Sequence, residues 1–267
     1  MKTRIISGAV LLGILISAVA VGNWYLYFFC LVASLIGLFE FFRVFKIEKD
    51  PLGYIGYLSC ITLYIFRVLG LSFKVEIFLY VITLVAMLVF FVATYPKRNI
   101  NNVLAAYFGI FYVAVMISFV FRLRIMPMGI YAVWLVFACS WVNDTCAYFT
   151  GYYFGKRKMT PVLSPKKTIE GALGGIAGAT IVAFILGIIA ANAGGTFVGS
   201  RIFIYTISGV IGSVAAIFGD LAASAIKRDH DIKDYGSLIP GHGGILDRFD
   251  SVILAAPVVY WIVQITG

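Results

Sequence analysis

Long apolar runs, separated by short polar breaks, occupy almost the whole of this chain. A hydrocarbon core about 30 Å thick requires roughly 20 apolar residues in a spanning helix. The pattern predicts about nine such helices, because membrane strands would be shorter and would alternate apolar and polar residues. Their predicted spans are residues 5–21, 24–42, 53–72, 75–95, 103–123, 127–150, 169–193, 202–226 and 250–266. We therefore expect an all-α integral membrane protein.

Composition strengthens this prediction. Hydrophobic residues make up 62% of the chain and charged residues 12%, with a mean hydropathy of +1.00, whereas roughly a quarter of the residues in a soluble domain are charged.

The first apolar run follows Lys2 and Arg4 and ends in small residues, as a secretory signal peptide does. We expect a retained helix instead, because a second apolar run follows at once.

The distribution of basic residues predicts the orientation in the membrane. If the N-terminus is cytoplasmic, the opposite side receives only a few of the 21 basic residues, namely Arg67, Lys74, Arg122, Arg124 and Arg201. The positive-inside rule therefore places the N-terminus in the cytoplasm and the C-terminus on the opposite side. The net charge of +9 then faces anionic lipid, and we expect no nucleic-acid partner.

Carboxylates are concentrated in the second half of the chain. Of the 12 acidic residues, the first half holds only Glu40, Glu48, Asp50 and Glu76. We therefore interpret residues 1–125 as a transmembrane scaffold and residues 126–267 as the catalytic region. Two cytoplasmic loops, 151–168 and 227–249, are predicted within that region.

Ionisable residues within predicted helices cost about 2.5–3.5 kcal/mol each and are candidates for function. Three such candidates are Glu40, Asp144 and Asp220. Glu40 is the weakest candidate, because it can pair with Arg43 while its carboxylate snorkels to the membrane surface. Asp144 is predicted to share a helix face with Ser140 and Tyr148. That stripe suits a functional site and a hydrogen-bond cluster between helices equally well.

Asp220 forms a stripe with Ser224 and Lys227, which follow it at four and seven residues. The stripe leads to the basic cytoplasmic boundary of its helix. Two helical turns separate Asp220 from Lys227, so a direct ion pair explains the buried acid poorly.

Small residues in the apolar runs are expected to serve packing. Gly171, Gly175 and Ala179 form a small-xxx-small face that allows a close helix neighbour. The cysteines lie within predicted helices and lack CxxC spacing, so we interpret them as small apolar packing residues.

The two cytoplasmic loops differ in character. Loop 151–168 combines lysines and an arginine with hydroxyl groups and is predicted to bind anions, whereas loop 227–249 mixes cations with aspartates. Mg²⁺ is commonly held by one or two carboxylates and substrate phosphate oxygens, while cations stabilise phosphoryl or nucleotidyl transfer. We therefore predict metal ligation by Asp144, Asp220 and Asp247, whose burial a bound cation would offset.

The PGHGG segment, residues 240–244, predicts a sharp turn whose backbone N–H groups can bind an anion. Its histidine, His242, suits a backbone-bonded loop residue and a phosphate contact about equally. Asp247 and Asp250 can be metal ligands or ordinary acids in the first turn of the last helix, where the helix dipole favours them.

The segment SAIKRDHDIKDYGSLIPGHGGILDRFD, residues 224–250, resembles the signature of the phosphatidate cytidylyltransferases, also called CDP-diacylglycerol synthases. Upstream, NDTCAYFTGYYFGKRK and SPKKTIEG resemble other blocks of that family, so the likeness spans about residues 140–251. Asn143 and Cys146, on either side of Asp144, depart from what relatives often carry. Residues 1–125 match only as generic apolar helices.

This resemblance implies an enzyme that joins CTP and phosphatidate to give CDP-diacylglycerol and pyrophosphate. It also implies Mg²⁺ as cofactor, a monovalent cation such as K⁺ as a second candidate, and a homodimer. The location implied is the cell (inner) membrane, with membrane lipid as surroundings and the active site facing the cytoplasm. Phosphatidate already carries an anionic oxygen as nucleophile, so the enzyme mainly positions two polyanions and screens their repulsion.

On these grounds the expected site residues fall into three groups. The metal ligands are Asp144, Asp220, Asp247 and Asp250. The catalytic charges are Asp220, Asp247, Lys227, Arg228 and Arg248. The substrate-binding residues are Ser164, Lys166, Lys167, Thr168, Ser224, Lys233, Asp234, His242, Gly243 and Gly244.

Three other functions make different demands on the sequence. In an ion-coupled transporter of an anionic substrate, Asp144 and Asp220 would be coupling sites near the midplane. The collection of polar residues at one membrane face favours the enzyme. A CDP-alcohol phosphotransferase would carry DG-x2-AR-x8-G-x3-D-x3-D, and a prenyltransferase DDxxD. Neither motif occurs in the sequence.

Overall fold

The structure, a computed structural model, describes residues 2–194, 198–239, 241 and 243–266. Within these residues the chain forms α-helices and one short β-hairpin. The helices are α1 (Lys2–Val21), α2 (Asn23–Val44), α3 (Pro51–Val68), α4 (Phe73–Thr94), α5 (Ile100–Gly109), α6 (Met116–Ile125), α7 (Gly129–Phe137), α8 (Asn143–Phe154), α9 (Ile169–Gly194), α10 (Val198–Asp229) and α11 (Leu246–Thr266). The strands are β1 (Lys158–Thr160) and β2 (Ser164–Thr168).

Two helix pairs each form one continuous segment through a π-helical turn. Ile110–Val115 joins α5 to α6, and Ala138–Val142 joins α7 to α8. Over the described residues, 8 helical segments are long and apolar enough to cross a membrane, and α1 contributes a shorter apolar stretch, Val10–Val21. The predicted all-α, multi-pass membrane protein is therefore confirmed. The orientation of its termini stays a prediction.

The predicted loop 151–168 contains regular structure. α8 continues to Phe154, and β1 and β2 then pair antiparallel, with Lys158 opposite Thr168 and Thr160 opposite Ser164. Thr168 Oγ1 accepts a hydrogen bond from the Gly171 backbone N–H at 3.1 Å. Because that hydroxyl satisfies a free donor of the first turn of α9, the hairpin is tied directly to the start of the helix.

The chain divides into two compact units. The first unit contains the chain up to Ser118 together with Asp234–Arg248, and the second contains Phe119–Lys233 together with the residues from Phe249 onward. The loop that carries most of the family signature thus packs with the N-terminal helices. The proposed division of roles between residues 1–125 and 126–267 concerns function rather than packing, and it stays a prediction.

The glycine-rich face of α9 brings three helices of the second unit together. A Cβ atom at Gly174 would collide with Thr150 of α8, and one at Gly178 with Cys146. Farther along, a Cβ at Gly209 of α10 would lie 2.6 Å from Ala183 Cβ. The predicted packing role of the small residues is therefore confirmed. α8 and α10 are held close to α9, and the polar residues of α8 and α10 line the same space.

Candidate active site

A cavity of about 550 Å³ lies within the second unit, lined by α8, the hairpin, α9 and α10. Its charged lining residues are Asp144, Lys158, Lys166, Lys167 and Asp220. Small residues such as Gly151 and Gly171 form the facing walls of α8 and α9. The cavity therefore combines carboxylates and ammonium groups around an open space.

Asp220 is one of the two acids that line this cavity. Its Oδ2 lies 2.5 Å from Lys167 Nζ, and both side chains are about a quarter exposed, at 25% and 27%. Its Oδ1 accepts a long hydrogen bond of 3.4 Å from Ser224 Oγ, one turn along α10. Lys167 of the hairpin is thus a direct partner of Asp220, and the predicted lack of a direct pair between Asp220 and Lys227 stays a prediction.

Asp144 lies in the first turn of α8, immediately after the π-helical turn. Asp144 is exposed and lines the cavity together with Tyr148, whereas Ser140 is fully buried. A π-helical turn inserts an extra residue into the helical repeat, so Ser140 falls out of register with the cavity-lining face. The predicted stripe is confirmed for Tyr148 and wrong for Ser140. Exposure to a cavity favours the functional interpretation of Asp144.

Asp250 lies close to Asp220 because α10 and α11 approach closely within the second unit. A Cβ atom at Gly219 would lie 2.5 Å from the Asp250 carbonyl oxygen. Asp250 interacts electrostatically with Asp220, and also with Lys227 and Asp144. Its Oδ1 accepts a hydrogen bond from the Ser251 N–H at 2.7 Å. The structure therefore brings together three of the four predicted metal ligands and the predicted cations Lys167 and Lys227.

The other predicted residues of the second unit lie in the hairpin, near the end of α10 and just after it. Lys166 and Thr168 line the cavity. Arg228, near the end of α10, and Lys233 are exposed. Ser164 opens β2 opposite Thr160. These positions leave the cations able to meet an anionic ligand, while a substrate contact by Ser164 stays a prediction.

The Gly-rich loop, residues 234–245 of the first unit, contains the predicted turn. Gly241 and Gly243 adopt φ angles of 78° and 80°, a left-handed conformation that favours glycine. The Ile239 N–H donates to the Gly243 carbonyl at 2.9 Å and closes the turn. His242 lies outside the described residues, so its predicted role is untested.

Asp247 organises this loop from the first turn of α11. Its side chain is 6% exposed, and Oδ2 accepts backbone hydrogen bonds from Tyr235 at 2.8 Å and Gly244 at 3.0 Å. The backbone donors that were predicted to bind a substrate anion include Gly244, whose N–H is here donated to an acid of the protein itself. Metal ligation by Asp247 and substrate contacts by Gly243 and Gly244 stay predictions.

Glu40 has a different environment from the predicted one. Its side chain is 3% exposed, and its two oxygens accept the backbone N–H groups of Ile245 at 3.1 Å and Leu246 at 2.8 Å. The snorkelling interpretation is therefore wrong, because the carboxylate is buried and bonded to the loop. Arg43 instead uses Nη2 to donate to the Tyr235 carbonyl at 2.6 Å.

The donor set of the second unit fits a magnesium ion that arrives with a phosphate ligand. In the part of the chain that the structure describes, no group of three or more His, Cys, Asp or Glu side chains is arranged to hold a metal ion. Mg²⁺ usually takes one or two protein carboxylates and completes its shell with water and substrate oxygens. Asp144 and Asp220, which face the cavity, supply such oxygens.

Two residues were not among those predicted for the site. Lys158 lines the cavity from β1, and it could have been found from its place in the cationic loop. Glu40 was noticed as an acid in an apolar helix, but a nearby arginine gave it a local explanation. Its partners lie about 200 residues away along the chain, and nothing in the local sequence indicates them.

Comparison with known proteins identifies the family of this chain. The model of the cytidylyltransferase family matches residues 2–266. Phosphatidate cytidylyltransferase of Bacillus subtilis is 33% identical over 99% of this chain and 98% of its own length. The enzymes of that name from Haemophilus influenzae and Synechocystis are 31% and 29% identical, each over at least 95% of both chains. The chain therefore belongs to the cytidylyltransferase family, as the resemblance of its signature predicted.

Proposed function

We propose that this protein transfers the cytidylyl group of CTP to phosphatidate, giving CDP-diacylglycerol and pyrophosphate. The observation that carries the proposal is the cavity in which Asp144 and Asp220 face Lys158, Lys166 and Lys167. The mixed charge of this cavity suits a metal-bound triphosphate. The relatives of the chain bear the name phosphatidate cytidylyltransferase. Relatives of that name favour the enzyme over the alternative, an ion-coupled transporter of an anionic substrate.

The reaction is a substitution at the α-phosphorus of CTP. An anionic oxygen of the phosphatidate phosphate forms a bond to that phosphorus, and the bond to the bridging oxygen of the β-phosphate breaks. The electron pair of the broken bond leaves with pyrophosphate. No proton has to be removed from the nucleophile, so the protein contributes mainly positioning and charge stabilisation.

Lys167 has a specific task in this proposal. It forms an ion pair with Asp220 at 2.5 Å, so the lysine and the acid screen each other before a ligand binds. A triphosphate would attract Lys167, while a cation would attract Asp220. Binding of the metal nucleotide therefore exchanges one internal ion pair for two contacts with the ligand, and the lysine then stabilises charge on the phosphates.

We propose Mg²⁺ as the cofactor, held by Asp144 and Asp220 with Asp250 next to them. When bound, Mg²⁺ would offset the charge of the triphosphate and of the departing pyrophosphate. A monovalent cation such as K⁺ is a second proposed cofactor, because three acids interact at this place. Asp247 stays a proposed ligand from the first unit.

Further contacts to the substrates are proposed for other residues of the second unit and for residues of the Gly-rich loop and the first turn of α11. The cations Lys227, Arg228, Lys233 and Arg248 would neutralise phosphate charge. Ser164, Thr168, Ser224, Asp234, His242, Gly243 and Gly244 are the remaining proposed substrate-binding residues. Phosphate-binding roles for the cations follow from their charge.

The protein is a multi-pass membrane protein, and we propose the bacterial inner membrane as its location with the active site facing the cytoplasm. The concentration of lysine and arginine on that side supports this orientation. The cytoplasm also supplies CTP. A homodimer is proposed from the family resemblance.

The test is a direct assay of purified protein in detergent. Phosphatidate, CTP and Mg²⁺ are mixed with it, and the lipid nucleotide and pyrophosphate are measured together. We expect equal amounts of both products, and neither product after chelation of Mg²⁺. Absence of both products over a range of cations would contradict the proposal, and release of pyrophosphate without lipid nucleotide would indicate hydrolysis of CTP.

A further inference from the structure

Glu40 is an unusual residue for an apolar helix in the part of the chain predicted to be scaffold. The residue is 3% exposed, although a charged group within a membrane helix is costly and is retained mainly where it has partners and a role. The cavity of the second unit does not include it. Its burial therefore requires an explanation outside the proposed chemistry.

The partners of Glu40 are the free backbone donors at the start of α11. Its oxygens accept from Ile245 at 3.1 Å and from Leu246 at 2.8 Å. The first N–H groups of a helix have no acceptor within that helix, and its N-terminus favours negative charge. A side chain of α2 thus performs the capping that is usually performed by the residue just before a helix.

The neighbouring glycines leave room for this arrangement. A Cβ atom at Gly236 or at Gly244 would collide with Glu40 Oε1. Both glycines belong to the Gly-rich loop, so the loop backbone passes directly over the carboxylate. Any larger residue at either position would push the loop away from α2 or displace the acid.

α2 also holds the beginning of the loop. Arg43 Nη2 donates to the Tyr235 carbonyl at 2.6 Å, while the Tyr235 N–H donates to Asp247 at 2.8 Å. A cavity of about 430 Å³ adjoins α2 and residues 236–238, so packing on that side is incomplete. The hydrogen bonds that Glu40 accepts and Arg43 donates therefore contribute much of what fixes the loop.

We propose that Glu40 is a positioning residue that holds the Gly-rich loop and the first turn of α11 in the geometry that catalysis requires. The inference rests on the proposed cytidylyl transfer. Glu40 acts through the backbone of Ile245 and Leu246, next to Asp247 and Arg248, rather than through contact with a substrate. The N-terminal helices thus contribute to the reaction by orienting the signature segment.

The experiment compares Glu40→Gln with the unchanged protein. Glutamine has the same shape but offers one acceptor oxygen and one amide donor, so one of the two backbone N–H groups loses its partner. Hydrogen–deuterium exchange in detergent should become about tenfold or more faster at residues 244–247. The kcat per folded molecule should fall about tenfold or more, and KM for CTP should change less than about threefold.

Glu76→Gln is the matched control. Glu76 is also a buried acid of the first unit, 0% exposed and paired with Arg67 at 3.2 Å. Its loss should lower thermal stability while leaving loop exchange and kcat per folded molecule close to normal.

Arg43→Gln is the second variant. Arg43 is exposed, and its replacement removes the hydrogen bond that holds the beginning of the loop at Tyr235. Exchange at Tyr235 should increase, and kcat should fall to a smaller extent than in Glu40→Gln.

The outcomes separate this inference from the proposed function. Unchanged loop exchange in Glu40→Gln, or normal kcat despite faster exchange, would overturn the positioning role. An equal loss of kcat in Glu76→Gln would show that general destabilisation is the cause. If the unchanged protein makes no lipid nucleotide, the proposed function fails, and the exchange measurement alone still decides whether Glu40 holds the loop.

Discussion

Four carboxylates that sequence analysis singles out occupy two contrasting regions of this molecule. In the first unit, Glu40 and Asp247 are buried and accept hydrogen bonds from backbone N–H groups of the Gly-rich loop and α11. In the second unit, Asp144 and Asp220 line an open cavity, and the partner of Asp220 is a lysine side chain. One pair shapes the backbone, whereas the other pair faces a space that a ligand can enter.

The kind of partner decides what each acid can do. A backbone N–H cannot leave its acceptor without unfolding the loop, so an acid bound to it serves structure first. A lysine side chain can rotate away and bind a phosphate, so its acid can take a cation in exchange. The structure therefore predicts different consequences for substitutions in the two regions: a loss of activity alone in the second unit, and a loss of both activity and loop order in the first.

The largest effect is expected for Asp220→Asn. The amide cannot hold a cation well and cannot pair with Lys167, so we expect a loss of about 10²–10³ in kcat. The fold should persist because the side chain is 25% exposed. Initial rates of CDP-diacylglycerol formation and a thermal melt measure the two properties. Full activity in a folded variant would remove Asp220 from the proposed metal site.

A comparable loss with a different signature is expected for Asp247→Ala. Removal of this side chain leaves the Tyr235 and Gly244 N–H groups without their acceptor, at about 1–3 kcal/mol each. Activity should therefore fall together with thermal stability and with protection of the loop amides against exchange. The contrast with Asp220→Asn would be broken if Asp247→Ala lost activity at unchanged stability, and Asp247 would then act mainly as a ligand.

Sequence analysis anticipated the cavity better than the loop, and the reason is physical. Asp144, Asp220 and Lys167 carry charges of complementary sign in segments that must meet at one membrane face, so composition and topology indicate them. The role of Glu40 depends on contacts with residues 245 and 246, and only the tertiary fold creates these contacts. The loss of Ser140 from the polar stripe depends on a π-helical turn, which no pattern in the sequence marked.

A moderate effect is expected for Lys167→Gln, which tests the exchange of ion pairs. This variant removes a cation from the proposed triphosphate site, so KM for CTP should rise about tenfold while KM for phosphatidate changes little. Lys74→Gln, on the exposed start of α4 in the first unit, is the matched control and should leave both values unchanged. An equal rise in both KM values would show that Lys167 does not distinguish the two substrates.

The smallest effect is expected for Ser224→Ala. Ser224 Oγ donates to Asp220 Oδ1 over a long distance of 3.4 Å, and a neutral donor of this kind is worth about 1 kcal/mol or less. We therefore expect kcat to fall no more than about fivefold. Steady-state assays at saturating CTP and phosphatidate provide the measurement.

Ser224 was also predicted to bind substrate, and a loss as large as that of Asp220→Asn would mean that its hydroxyl contacts the reacting phosphates. That result would place Ser224 among the chemical residues of the cavity, because support for one acid cannot exceed the contribution of the acid itself.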